Sequence, residues 1–218
     1  MHKNGTAGAV PFPYVGEKMK YRKFFRDLSA VTLATAMVGA ATCCYVRAGL
    51  GGDSVAVFLD GFSSAAGLTL GEASWLFNLV LLLTAFLTAR RKLGWTTVYN
   101  SLLSGLFVDL SSRVLDPVLS FSDALLFRWV VFLAGLLLLT GACAMMMRLC
   151  PGMSVLDAIT AGLSERLKLS FRMVRISIDV ALMAVGWLMC GVVGFGTVAA
   201  VIATGPLIQW FYQFGKKS

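Results

Sequence analysis

Apolar residues dominate six stretches of the chain, near residues 28–46, 73–89, 95–112, 124–147, 172–192 and 196–214. Each approaches the roughly 20 residues that carry an α-helix across the hydrocarbon core of a bilayer. Six membrane-spanning helices are therefore expected. Two shorter stretches, 53–67 and 153–167, are too short and too polar to span. In the second, Leu156, Ile159 and Leu163 recur at helical spacing, while Asp157, Glu165 and Arg166 fall off that stripe. Both read as amphipathic or re-entrant helices. The fold class that follows is an all-α polytopic membrane protein.

The pattern repeats. Residues 94–109 and 194–209 share Gly94 with Gly194, Thr97 with Thr197, Val98 with Val198 and Gly105 with Gly205, at an offset of 100 positions. Gly52-Asp53-Ser54 corresponds in the same way to Gly152-Met153-Ser154, and Thr69 to Asn78 matches Ser170 to Asp179 with a shift of one. Each half is one span, a short helix and two further spans. Three crossings per unit is odd, so the second half is expected to enter the membrane upside down, the inverted-topology construction common among secondary transporters. The organisation expected is a cytoplasmic tail over 1–27, a first three-span repeat over 28–112, an external linker over 113–123 and a second three-span repeat over 124–214.

Composition agrees with a bilayer. Apolar residues make up 58% and charged residues 14% of the 218, against about 25% charged in a soluble domain. The net charge of +8 raises nucleic acid as a partner. The basic residues, however, gather at the ends of apolar runs, as the positive-inside rule describes, and nucleic acid is not needed to explain them. With both termini in the cytoplasm, only Arg47, Arg113 and Arg128 of the 19 basic residues fall on the external side. The segment Lys18 to Arg26 before the first run resembles a signal peptide, but with five further spans it reads as the flank of a retained helix. Cys43, Cys44, Cys143, Cys150 and Cys190 lie in or beside apolar runs without metal-site spacing. His2 is the sole histidine. No metal site, cofactor or catalytic residue is expected.

Polar groups inside spans are costly and point to function. Asn78 and Asp179 stand within their helices at matching places in the two halves. Asp179 is the strongest proton or cation site, with a structural ion pair to Arg175, one turn earlier, as the competing role. Gly205-Pro206 falls near the middle of the last span, where proline removes a backbone donor and favours a kink. Gly105 is the matching weak point in the third span. Thr97 and Thr197 open their helices behind a glycine, where a hydroxyl caps free amides. Asp109 with Arg113, and Gln209, are secondary candidates near helix ends. Arg47 follows the first span as an interfacial anchor or a functional cation. The glycines of Gly49-Leu50-Gly51-Gly52 lack the Lys-Ser/Thr of a phosphate loop and read as a tight turn.

Gly49-Leu50-Gly51 after the first span, Gly67-Leu68-x-x-Gly71 before the second, Leu93-Gly94-x-x-Thr97 at the third, and Gly194-x-Gly196-Thr197 with Gly205-Pro206 at the end form a recurring set. In these the chain resembles the YczE/YitT-type bacterial membrane proteins over nearly its whole length after the tail. It departs from them at Asp53-Ser54. The resemblance implies the architecture and a bacterial inner membrane. From the residues themselves the leading function is a small secondary transporter with a mid-membrane site between the halves. The alternative is a membrane-embedded accessory or interaction protein that moves nothing. An enzyme is disfavoured, because no nucleophile stands beside a base.

Overall fold

A computed structural model describes residues 21–89, 94–119, 124–149 and 154–214. These form eight helices: α1 (Tyr21–Ala48), α2 (Ser54–Ala66), α3 (Leu70–Ala89), α4 (Trp95–Leu119), α5 (Leu125–Leu149), α6 (Val155–Leu167), α7 (Phe171–Leu188) and α8 (Phe195–Phe214). No strand occurs among the described residues. Each apolar run became a helix, and the two short segments became α2 and α6 at 13 residues each. The boundaries moved at two places. Helix α1 begins inside the expected tail, at Tyr21, and α4 runs on through most of the expected linker to Leu119.

By length and composition α1, α3 and α5 are able to cross a bilayer, over Phe25–Ala48, Leu70–Thr88 and Leu125–Met147. The other long helices fall short of that measure for reasons visible in their residues. Thr96, Thr97, Asn100, Ser101 and Ser104 dilute the start of α4, and Asp109, Arg113 and Asp116 charge its second half. Helix α7 has 18 residues and carries Arg172, Arg175 and Asp179. The apolar stretch of α8 is Phe195–Ile208.

The two halves use the same local devices. The αL cap of α2 at Gly67 donates its amide to the Ser63 carbonyl, and the αL cap of α6 at Lys168 donates to that of Ser164. Thr69 Oγ1 accepts the Glu72 amide, and Ser170 Oγ accepts the Met173 amide. The Val57 amide bonds the Asp53 carbonyl, and the Ala158 amide bonds that of Ser154. These pairs are all 101 apart. At α4 and α8 the amides of Thr97 and Thr197 bond the carbonyls of Gly94 and Gly194, 100 apart. Asp53 is thus equivalent to the N-cap Ser154, one residue off the alignment taken from Gly52-Asp53-Ser54.

Helix α1 is the centre, packed on α4 and α5, while α8 packs on α5 and α3 on α4. Val31, Ala34, Ala41, Cys43 and Tyr45 of α1 are buried, as is Val108 of α4, and Cys44, Tyr45 and Ala48 cluster with Val131, Phe132 and Leu136 of α5. The short helices cross over: α2 packs on α7, and α6 packs on α3. Leu83, Leu87, Leu106, Leu126, Val180, Trp187 and Ile202 are exposed on the outside. An apolar exterior around a small-residue interior is the distribution lipid favours.

Candidate functional site

The crossover of α2 onto α7 brings residues far apart in sequence together. Gly61 of α2 and Gly186 of α7 let the two backbones approach so closely that a side-chain carbon on Gly61 would lie 2.3 Å from the Gly186 carbonyl oxygen. Asp60 Oδ2 accepts the Val192 amide at 2.9 Å beyond the end of α7. At the other end of the contact, the Ser54 hydroxyl donates to Asp179 Oδ1 at 2.6 Å.

Asp179 is not alone. Arg175 Nε donates to Asp179 Oδ2 at 3.0 Å, and Arg175 Nη1 donates to Asp157 Oδ1 at 2.5 Å. Asp157 lies in the first turn of α6, and Ser54 is the first residue of α2. The starts of both short helices therefore meet on one face of α7, with a guanidinium between two carboxylates. Asp53, just before Ser54, stands within electrostatic reach of Arg175 and Asp179. Cys143 of α5 lies near Asp53, Asp157 and Arg175. Arg175 and its two partners are each about one-third exposed, at 33%, 39% and 31%, so the network is reachable from outside the fold. Charge-assisted bonds of this kind hold geometry well, and three carboxylates around one guanidinium leave the group net negative.

The other residues expected at the site are placed elsewhere. Asn78 is equivalent to Asp179, and its Nδ2 donates to the Ser74 carbonyl one turn back on α3. Its half of the repeat is uncharged there, because Ser74 replaces Arg175. Thr97 and Thr197 are buried in the first turns of α4 and α8; the Thr197 hydroxyl accepts the Gly194 amide at 3.4 Å. Gly105 lies inside an unbroken α4, and Asp109 receives the Gly71 amide and the Thr69 hydroxyl at 2.8 and 3.1 Å. These two bind α4 to the start of α3. Gly205 and Pro206 are exposed on α8, which is continuous from Phe195 to Phe214. The side chain of Gln209 lies outside the described residues. So Asp179 and Arg175 share partners from α2 and α6, whereas the threonines and glycines sit on α4, packed on α1 and α3, and on α8, packed on α5.

Four participants were not singled out from sequence: Asp157, Ser54, Asp53 and Arg128. Asp157 was visible only as a residue off an apolar stripe. Arg128 of α5 donates to the carbonyls of Ala48 and Gly49 at 2.6 and 2.7 Å, holding the turn that delivers α2. Arg47 donates Nε to Asp116 Oδ1 at 2.6 Å, with a second contact from Nη2 to Oδ2, and so ties α1 to α4. Two of the three basic residues on the expected external side thus have structural partners.

Spanning helices, an apolar exterior and a charged network at the starts of two short helices define a helical membrane protein. The chain belongs to the family described as "Family of unknown function (DUF6198)", whose model matches residues 25–213. It is similar to an uncharacterized protein of Haemophilus influenzae, 27% identical over 187 residues, 86% of this chain and 84% of that one. It is also similar to the uncharacterized membrane protein YczE of Bacillus subtilis, 23% identical over 146 residues, 66% of this chain and 65% of that one. The likeness to YczE-type proteins read from the glycine motifs therefore stands. No solved structure matches the chain.

Proposed function

We propose that this protein is a small secondary transporter that moves a small solute through a site between two inverted repeats. The observation that carries this reading is the Ser54–Asp179–Arg175–Asp157 network. It is built from the start of a short helix in each half, laid against a helix of the second half. Charged groups inside a membrane protein face its interior or a water-filled path and mark ion and substrate routes. Short or broken helices whose N-termini open onto such a site are the devices by which repeat transporters hold the charged groups of a solute.

In this reading six helices span the inner membrane of a bacterial cell, both termini are cytoplasmic, and no reaction is catalysed. Lipid is the standing partner and the solute is proton- or cation-coupled. Asp179 and Arg175 are the working pair, Asp157 the second carboxylate and Ser54 the neutral donor. Asn78 and Ser74 form the uncharged counterpart in the other half.

The test is purified protein in proteoliposomes that enclose a pH-sensitive dye, with gradients of amino acids, organic acids and organic cations imposed one at a time. A solute-specific pH change, lost in Asp179→Asn and Arg175→Gln, supports transport. If correctly folded, oriented protein moves none of the panel but retains a membrane partner on gentle solubilisation, the accessory reading replaces it.

A further inference from the structure

We propose that the protein is built as two four-helix bodies that rock against each other. In the state of this structure α3 packs on α4; in the other state α7 packs on α8 instead. The inference deepens the transporter reading and rests on it for what the motion does.

The bodies follow from which helices touch. In the first, α1 packs on α4 and α5, and α5 packs on α8. In the second, α2 packs on α7 and α3, and α6 packs on α3 and α7. Each body therefore takes two helices from each half of the sequence, α1 with α5 and α4 with α8, or α2 with α6 and α3 with α7. Across the seam between them, α3 on α4 is the extensive contact among the described residues, and those of α1 with α2 and α4 with α6 are slight. Its counterpart by the repeat is α7 on α8, and these two helices are not packed together among the described residues. Ile176 and Val180 of α7 and Val201 and Ile202 of α8 are exposed instead. Among the described residues nothing stands within 4 Å of a carbon added to Gly205.

Two equivalent seams packed unequally are what a rocking motion shows when it is caught in one of its states. Helices in lipid gain little from apolar burial and rely on close backbone approach and hydrogen bonds. The α3–α4 seam has both. Gly71 meets Gly105, and Asp109 accepts the Gly71 amide and the Thr69 hydroxyl at 2.8 and 3.1 Å. Each body is tied within itself. Ser54 of α2 bonds Asp179 of α7, and Arg175 of α7 bonds Asp157 of α6. In the other body Arg47 of α1 pairs with Asp116 of α4, and Phe132 and Leu136 of α5 cluster with Ala200 of α8. Tilting one tied body on the other opens the α3–α4 seam only by drawing α7 toward α8. The Arg175 network belongs to the second body, and its way out is the open α7–α8 side. With the halves inverted, that side faces the cytoplasm and the packed side the exterior. Rocking then exposes the network to each side of the membrane in turn.

Pairs of nitroxide labels read both seams in the full chain in lipid nanodiscs, with the five native cysteines replaced. Labels at Leu76 and Leu110 span α3 and α4, and labels at the equivalent Ser177 and Trp210 span α7 and α8; all four positions are exposed. The same sites taken as Leu76 with Ser177, and Leu110 with Trp210, report distances within each body. Asp109→Ala removes the side-chain bonds to α3, and Gly105→Ala forces α3 and α4 apart, so each variant moves the balance by a different route. The expected result is a longer Leu76–Leu110 distance together with a shorter Ser177–Trp210 distance, while both within-body distances stay fixed. A first seam that opens while the second stays as it was overturns the proposal. So do within-body distances that change as much as the seams, or no change in either variant. The distances need no solute. Coupled switching without transport in proteoliposomes would reject the transporter and keep the two bodies. Transport by a protein whose variants never switch would reject only the rocking.

Discussion

Gly105 of α4 and Gly71 of α3 meet backbone to backbone: a side-chain carbon on Gly105 would lie 2.5 Å from the Gly71 carbonyl oxygen. One turn on, Asp109 takes the Gly71 amide. In the second half the equivalent positions are Gly205, Arg172 and Gln209, and among the described residues nothing stands within 4 Å of a carbon added to Gly205. The repeat thus packs α3 on α4 and leaves the matching face of α8 open.

This contrast makes the first prediction. Gly105→Ala forces α3 and α4 apart and is expected to destabilise by about 1–3 kcal/mol, as overpacking does. Gly205→Ala meets nothing and removes a poor helix former, a gain of up to about 1 kcal/mol. Thermal unfolding in detergent distinguishes them. Equal midpoints for the two variants would contradict the packing described.

Arg175 pairs with Asp179, as the structural role expected of that residue requires. It is bonded to two carboxylates, so Asp179→Asn still leaves Asp157 to balance the guanidinium. That single change is expected to leave the protein folded. Removing both carboxylates in Asp157→Asn/Asp179→Asn takes away both ion-pair partners of Arg175 and leaves only the more distant charge of Asp53 to balance it. The expected signature is a double variant less stable than the sum of the two singles. Strict additivity would show that Arg175 does not depend on the pair.

Arg128 gives a prediction about delivery of the site. Its Nε and one Nη reach two successive carbonyls, Ala48 and Gly49, at the turn into α2. A lysine ammonium lacks that planar fork. Arg128→Lys is expected to cost roughly 1–3 kcal/mol, the penalty for a charge-assisted bond lost, and to loosen the α1–α2 turn in hydrogen exchange. Gly49 has φ +57° and its added carbon would lie 2.6 Å from Arg128 Nη2, so Gly49→Ala should reproduce the defect. Unchanged exchange in both variants would refute the clamp.

How far the site was legible follows from where its residues lie. Arg175 and Asp179 were readable as a pair because they are four apart on one helix. Ser54 is 125 positions from Asp179, and nothing in a local pattern reports that distance. The six long helices were legible from apolar run length, and the two short ones from their limited length and mixed polarity, with Leu156, Ile159 and Leu163 at helical spacing in the second. The repeat was legible too, but its glycines misled. Gly105 and Gly205 match in sequence and suggested two weak points, whereas Gly105 serves contact with a neighbour and Gly205 has none. Identity of residue carried ancestry, not environment. Proline was expected to kink or unwind α8; the helix is not unwound, since Pro206 sits within a continuous α8.

The inverted arrangement has a direct test at the ends of the short helices. Ala66 and Leu167 are equivalent, each the last residue of its short helix before an αL cap, and both are exposed. If the halves are inverted, these positions lie on opposite sides of the membrane although their local structures match. Single cysteines at Ala66 and Leu167, in a chain whose five native cysteines are replaced by serine or alanine, are treated with an impermeant maleimide on intact cells. Cysteine at 66 is expected to label from outside. Cysteine at 167 is expected to label only after the membrane is opened, since by the positive-inside rule Lys168 and Arg172 favour the cytoplasmic side. Labelling of both from the same side would rule out inversion. The charged network of α7 would then lie between halves of parallel topology, and a transport path built on opposed short helices would have no basis.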